Sequence, residues 1–381
     1  MSGPPVKKQF DVAVLGGGPA GTATALALNR LEHSVVVIEQ SNYENVRLGE
    51  TLPPGIRPLL AHLGVWEHFL AEQHLPSFGI HSAWGRPHPH ENDFIFNPYG
   101  SGWHVDRARF DALLARQAEQ AGVNVCRRAR VLSCHEPASG GWEFQLDCAG
   151  QPQKFSARFC VDATGRLSAF ACRQGAKRVV LDHLVGVVRF LLPRSESVSR
   201  DRFTLLESVE EGWWYSALLP DGRAVAAYMT DGELLARGSK CPRDFWATQL
   251  RRTNHTRDRL RGFTFGAGPL IVAANSVVLD RPAGHNWLAV GDAASSYDPL
   301  SSQGVFKALD SGIRAARAIH EGFAGDTSAW ENYAGWVHEK FDQYLHSRAH
   351  YYSAETRWRD SPFWHRRQPF RVKSRAQHVI S

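Results

Sequence analysis

Residues 10–40 read FDVAVLGGGPAGTATALALNRLEHSVVVIEQ, and no other stretch limits the fold so tightly. Phe10–Leu15 is a short Val-rich apolar run, the pattern of a parallel strand buried on both faces. Gly16-Gly17-Gly18-Pro19-Ala20-Gly21 follows directly and satisfies G-x-G-x-x-G. Thr22–Leu31 has the small and apolar composition of a helix. Ser34–Ile38 is a second strand, and it runs into Glu39 and Gln40. Each position has a physical task. Gly16 permits the tight turn, Gly18 lets the backbone approach a pyrophosphate, and Gly21 lets helix and strand pack closely. The helix start, with Pro19 and Ala20, offers unpaired N–H groups and a partial positive charge to phosphates. Glu39 stands 18 residues after Gly21, where an acid accepts from ribose hydroxyls and argues against a 2′-phosphate. The chain therefore opens on a dinucleotide-binding unit, which by itself does not choose between NAD and FAD.

The length, 381 residues, allows a large core and more than one domain. Hydrophobic residues make up 43% and charged residues 22%, as in an ordinary globular protein. The net charge of +6 is dispersed, apart from small clusters such as Arg127-Arg128 and Arg366-Arg367. That distribution speaks for a mildly basic surface and against nucleic-acid binding. The six cysteines form no C-x-x-C pair, so zinc and redox motifs are absent, and reduced thiols in a cytoplasm are expected. There is no apolar signal region at the N-terminus and no uninterrupted apolar stretch long enough for a membrane span. GRPHPHEN at 85–92 carries His88, His90 and Glu91, but two prolines and no periodicity predict a surface loop and no metal.

Two later segments extend the cofactor reading. Asp162-Ala163-Thr164-Gly165-Arg166 follows the apolar run Phe159–Val161, and Gly291-Asp292 follows Trp287–Val290. Three strand-ending motifs spread so widely suit an extended cofactor. With these motifs the chain resembles the FAD-dependent monooxygenases of the aromatic-hydroxylase and tryptophan-halogenase type. The resemblance implies that Asp292 contacts the ribityl chain of FAD. It implies the same cofactor for Arg107, in VDRARFDALL, and a place near the pyrophosphate for Arg47, in RLGETLPPG.

The predicted architecture is α/β: a Rossmann-type FAD-binding domain interleaved with a β-sheet substrate domain, plus C-terminal helices. The cofactor domain is assigned 1–75, 100–180 and 270–322, the substrate domain 76–99 and 181–269, and the helical region 323–381. HLVGVVRFLL, RFTLLESV, GWWYSALL and RAVAAYMT read as strands, with Pro220-Asp221-Gly222 as a hairpin turn between the last two. Alternation puts Trp213, Tyr215 and Ala217 on one face. Trp213, Trp214 and Tyr215 are candidates to stack a substrate ring, or else fill the core. The tail segment 344–368 is expected to begin as a helix and to break at Pro362.

DPLSSQGV at 298–305 follows Asp292 closely and leads into a helix over Val305–Ile319. Its helix-start N–H groups point toward an electron-rich partner, and Gly304 allows close backbone approach. The resemblance makes that partner the pyrimidine end of the flavin and assigns Pro299, Ser301, Ser302, Gln303 and Gly304 to it. Tryptophan halogenases carry a glutamate where Ser301 stands and a threonine where Gln303 stands. They also use a lysine after the Gly-Glu-Thr segment, yet no lysine lies between Lys8 and Lys154. The apparatus that redirects oxygen to halide is thus missing, and hydroxylation through a flavin C4a-hydroperoxide is the simpler outcome.

A narrower resemblance spans almost the whole chain. RLGETLPPGIRPLLAHLGV, GWWYSALLPDGR, WLAVGDAASSYDPLSSQG and YY-x-x-E-x-R-W…SPFW-x-RR are similar to the flavoproteins that mature quinone-cofactor amine oxidases and dehydrogenases. These oxygenate a tryptophan in a partner polypeptide. The resemblance implies FAD, dioxygen as co-substrate, and NAD(P)H or a separate reductase as electron donor. It implies the precursor of such an amine oxidase as protein substrate. Glu50 and Asp298 are the candidate bases, with Asp298 equally readable as a turn cap. A free small aromatic as substrate and a flavin-linked reductase remain the alternatives.

Overall fold

The structure is a computed structural model that describes residues 8–194, 201–238 and 241–368. Its first sheet has a parallel core. Strands run in the order Trp287–Ala289, Gln151–Asp162, Lys8–Leu15, Val35–Ile38, Asn124–Cys126, each parallel to its neighbour. Val12, Ala13, Val14 and Val35–Val37 are buried on both faces, which is why the sequence shows an unbroken apolar run there and no alternation. The free half of Gln151–Asp162 pairs antiparallel with Trp142–Cys148, which pairs with Ala129–His135.

The first helix spans Pro19–Arg30, with Pro19 in its opening turn, where the missing N–H costs nothing. Against it lies the helix Gly304–Phe323. Gly312 makes that approach possible, since a Cβ there would stand 2.6 Å from the Ala20 carbonyl oxygen. The two elements that begin at the cofactor motifs are thereby locked side by side.

The second sheet is mostly antiparallel, in the order Phe263–Phe265, Leu184–Pro193, Ala224–Asp231, Gly212–Leu218, Thr204–Val209, Gly79–Ala83, His90–Asp93. The turn at 220–222 joins its two central strands, as its Pro-Asp-Gly sequence predicts. Leu270–Ala273 also pairs with Leu184–Pro193, although the sequence groups it with the cofactor segments. Of 85–92, read as a surface loop, residues 90–92 belong to the edge strand His90–Asp93 of this sheet, exposed and paired to Gly79–Ala83. A lone edge strand lacks the apolar alternation by which strands are recognised.

The C-terminal region differs from expectation at one point. The long helix Ala329–Ala354 ends well before Pro362, and Pro362 opens a short helix, Pro362–His365. Proline there occupies a first-turn position suited to its fixed φ rather than breaking a continuing helix. No helix is long and apolar enough to cross a membrane, no group of three metal-ligating side chains converges, and no disulfide forms among the described residues.

Candidate active site

The glycine turn forms a built cradle. Gly16 has φ +111°, and a Cβ there would meet the Ala163 carbonyl oxygen at 2.2 Å. A Cβ on Gly21 would meet the Gly16 carbonyl oxygen at 1.9 Å. Both glycines are demanded by packing of protein on protein. Gly18 is different: an added Cβ would find only Arg47 Nη1, at 4.0 Å. The helix that starts there has no side-chain cap, so its first N–H groups face that space. This is the arrangement a pyrophosphate requires.

Glu39 ends the second strand with its side chain drawn inward. Its Oε2 accepts the Gly17 N–H at 2.8 Å, and its Oε1 accepts the Ser41 N–H at 3.0 Å and Arg47 Nη2 at 3.1 Å. Gln40 is exposed beside it. Arg47 also donates to Asp111 Oδ2 at 2.8 Å, while Arg107 donates through Nε to Asp111 Oδ1 at 3.1 Å and through Nη1 to the Leu48 carbonyl. Asp111 is fully buried and holds both arginines. Sequence reasoning missed it. The available signal was its position four residues after Arg107 on a helix, the spacing of a same-face ion pair.

Asp292 sits at the end of Trp287–Ala289. Lys307 Nζ donates to its Oδ1 at 2.8 Å, and Arg166 Nε lies 3.8 Å from Oδ2. Burial alone would raise this carboxyl, but the Lys307 ammonium and the Arg166 guanidinium outweigh it and hold it below the usual range. Lys307 was not recognised from sequence. A buried cation in the first turns of a helix opposes the helix dipole, and such local conflicts mark functional positions.

Glu50 and Asp298, the two candidate bases, have opposite surroundings. Glu50 is 4% exposed, and its Oε1 has no hydrogen-bond partner among the described residues. Burial pushes its pKa up to about 6, against the opposing effect of hydrogen bonds from its own and the Gly49 backbone N–H and of the Arg107 charge. Asp298 is as buried but fully engaged. Its Oδ1 accepts the Leu300 N–H at 2.9 Å, while Oδ2 accepts Tyr352 Oη at 2.7 Å and Arg348 Nε at 3.3 Å. Of the two readings given to Asp298, its hydrogen bonds are those of the turn cap. Pro299–Ser301 form a single 3₁₀ turn, Ser301 Oγ donates to the Asp298 carbonyl at 3.1 Å, and Ser302 adopts a left-handed φ of +49°. Gln303 precedes the helix. Around Gly304 no described atom lies within 4 Å of an added Cβ. Pro299, Gln303 and Gly304 are all exposed, so this helix start presents open backbone as the first one does.

On the other side of the turn is a groove of about 620 Å³. The substrate sheet supplies Ile80, Ser82, His90 and Asn92, all on one face by their register. Trp84, Phe306, Trp336 and Tyr351 add aromatic wall, and Leu300–Gln303 line the groove together with Gly291 and Lys307, which flank and bind Asp292. The groove opens to solvent past His90, Asn92 and Tyr351, which are exposed.

Trp213 and Trp214 do not line it. Both are 0% exposed. Trp214 faces the far side of the sheet, against Trp246 at 5.1 Å and Tyr228 at 5.1 Å between centroids. Trp213 donates through Nε1 to Tyr352 Oη at 3.0 Å. The stacking role expected of these two indoles is corrected to core packing. Strand alternation separates the two faces, but it does not reveal that the helix Pro242–Arg251 covers one and the C-terminal region the other. Tyr215 is also off the groove wall. Its Oη lies 2.7 Å from Thr51 Oγ1, next to Glu50.

Comparison with known proteins accords with this geometry. Residues 9–330 match the FAD binding domain family. The chain belongs to that family. As a member of the FAD-binding family it is a flavin oxidoreductase. It is 30% identical over 378 residues to LodB of Marinomonas mediterranea, named as an FAD-dependent oxidoreductase, covering 98% of this chain and 100% of that one. It is 26% identical over 339 residues to a pyrrolyl-carrier-protein brominase of Pseudoalteromonas luteoviolacea, covering 84% and 79%. Among solved structures, the myxobacterial chondrochloren halogenase CndH superposes with TM-score 0.84 at 24% identity, covering 98% of this chain and 89% of that one. The peptidyl tryptophan dihydroxylase QhpG superposes with TM-score 0.76 at 24% identity, covering 94% and 79%. This flavin oxidoreductase thus shares the halogenase-type fold, and its cradle residues fit FAD: open glycines at two helix starts, an acid at the second strand's end, and the partly exposed side chains of Arg47 and Asp292.

Proposed function

We propose that this flavin oxidoreductase is a monooxygenase that hydroxylates a tryptophan side chain of a partner polypeptide, the precursor of a quinone-cofactor amine oxidase or dehydrogenase. The observation that carries the reading is the solvent-open aromatic groove lined by the 300–303 turn, with Ser301 where the resembled halogenases carry a glutamate. Support also comes from the fold shared with QhpG, whose own activity is on peptidyl tryptophan and is essential for tryptophylquinone biogenesis.

Bound FAD, reduced by NAD(P)H or a separate reductase, supplies the activation of dioxygen. One oxygen atom enters an indole C–H bond, and the other leaves as water with the two electrons supplied. The protein's part is to orient the ring, keep bulk water from the cradle and move a proton. Trp84, Trp336 and Tyr351 offer faces for the indole. Lys307 and Arg166 fix Asp292 in its charged form for the cofactor. Glu50, with its unpartnered Oε1 and a carboxyl raised to about 6 by burial, does not lie on the groove wall, and it is the group assigned to take the ring proton from an indole that reaches past that wall toward the cradle.

The experiment is mass spectrometry of a tryptophan-bearing oxidase precursor expressed with and without this protein. Gain of oxygen on one tryptophan, dependent on this chain, establishes the reading. A groove of this size also admits a free indole. Unmodified precursor, together with oxygen-dependent NAD(P)H consumption stimulated by a free aromatic, moves the assignment to a small-molecule hydroxylase.

A further inference from the structure

Apart from Tyr351, the C-terminal signature takes no part in the chemistry above, yet its Tyr352 joins two residues of the preceding helix turns at Asp298, which caps the 299–301 turn. Tyr344, Arg348 and Tyr352 recur every four residues on the helix Ala329–Ala354 and so form one stripe. All three meet Asp298. Tyr344 Oη accepts the Asp298 N–H at 2.8 Å, Arg348 Nε donates to Oδ2 at 3.3 Å, and Tyr352 Oη donates to the same oxygen at 2.7 Å. Each also has a second partner, and those of Arg348 and Tyr352 lie on the substrate side. Tyr344 Oη lies 2.7 Å from Ser276 Oγ, Arg348 Nη2 donates to Asp182 at 3.1 Å, and Tyr352 accepts from Trp213 Nε1 at 3.0 Å.

The end of the helix is pinned in turn. Glu355 accepts the Gly85 N–H at 2.8 Å and Ser208 Oγ at 2.7 Å, and Trp364 Nε1 donates to the Val209 carbonyl at 2.9 Å. The stripe therefore acts as a strut that sets the 299–303 turn against the substrate sheet. Asp298 is 1% exposed, so these bonds work in a low dielectric and hold tightly.

We propose that Arg348 and Tyr352 are positioning residues for oxygen transfer: through Asp298 they fix the turn that the flavin and the bound ring share. The proposal rests on the monooxygenase reading for its product measurement, but not for its flavin measurements.

The test uses the full-length FAD-loaded protein. Tyr352→Phe removes one hydroxyl and no ring. Tyr333→Phe, on the same helix, removes an equally buried hydroxyl that donates to the Ala289 carbonyl at 2.9 Å, and serves as the reference for simple loss of a hydrogen bond. Unfolding midpoint, flavin absorption spectrum, flavin reduction potential and product formed per oxygen consumed are measured for both. Both variants are expected to lower the midpoint, Tyr352→Phe by more, since it loses a bond to a charged acceptor and leaves Trp213 Nε1 without its partner. Only Tyr352→Phe is expected to shift the flavin bands and potential, and to cut product per oxygen about tenfold, the factor one hydrogen bond to a charged group is worth. Arg348→Lys is expected to recover part of what Arg348→Met loses. Identical spectra and potentials for Tyr352→Phe and Tyr333→Phe overturn the proposal, whatever the substrate proves to be. Shifted flavin readouts with no oxygenated product support the strut and remove the substrate reading instead.

Discussion

Arg47 donates to the buried Oδ2 of Asp111 at 2.8 Å, across 64 positions of sequence. The same carboxylate holds Arg107, so one acid orients both arginines that border the cradle. Asp111→Asn halves this grip and leaves cations without their partner. Breaking a buried pair costs roughly 3 kcal/mol, the low end of the usual range because Arg47 keeps some solvent contact. Chemical denaturation is expected to show that loss. Fluorescence titration with FAD is expected to show at least tenfold weaker binding.

Two glycines separate stability from cofactor binding. Gly21→Ala drives a Cβ into the Gly16 carbonyl and is expected to destabilise the protein with or without FAD. Gly304→Ala meets no described atom, so the apoprotein is expected to keep or slightly raise its unfolding midpoint. Its FAD affinity is nevertheless expected to fall, because the methyl group occupies the cofactor's space. Unchanged affinity in Gly304→Ala would place the flavin elsewhere.

Glu50 makes stability depend on pH in a particular direction. Its folded pKa, about 6, stands above the unfolded value of 4.5, so between these values the folded state binds more proton. Stability is then highest below pH 4.5 as far as this group is concerned, and falls as pH rises to 6. The loss is about 2 kcal/mol, since each pH unit between the folded and unfolded values is worth about 1.4 kcal/mol. Glu50→Gln is expected to abolish that slope. Its unfolding free energy is expected to exceed that of the parent at pH 8 and approach it at pH 4. The same variant slows product formation if Glu50 takes the ring proton.

Lys307 is expected to matter through Asp292. Lys307→Met removes the ammonium that most strongly counters the burial of Asp292, so that carboxyl's pKa rises. If Asp292 accepts from the ribityl hydroxyls, FAD binding is then expected to weaken about tenfold and to weaken further as pH falls, since the protonated acid is a poorer acceptor than the carboxylate. Titration of FAD at two pH values checks this.

The parts of the site legible in the sequence are those marked by a pattern local to the chain. Gly16–Gly21, Glu39 and the Gly291-Asp292 turn each stand at a fixed offset from the end of a strand, so their patterns survive in one dimension although their contacts reach across the fold. Asp111, Lys307 and Tyr352 act across the fold, on partners such as Arg47 at 64 positions and Asp298 at 54, and no local pattern announces such pairs. Trp213 and Trp214 failed for a related reason. Period-2 alternation tells which residues share a face but not what lies upon it. Asp298 carries both lessons: its capping role was legible in Asp-Pro, while the arginine and tyrosine that occupy its second oxygen were not.

The first sheet draws neighbouring strands from residues 8–15, 151–162 and 287–289. Until Trp287–Ala289 has left the ribosome, the strand Gln151–Asp162 has an open edge at the half that carries Asp162, and the Gly291-Asp292 turn does not yet exist. The nascent chain therefore holds an incomplete parallel sheet from the completion of residue 162 until residue 289 is made. Such long-range pairing is slow and exposed to aggregation. The Gly291-Asp292 part of the cofactor cradle thus comes into being only after residues 287–292 are made, long after the glycine turn at the first strand.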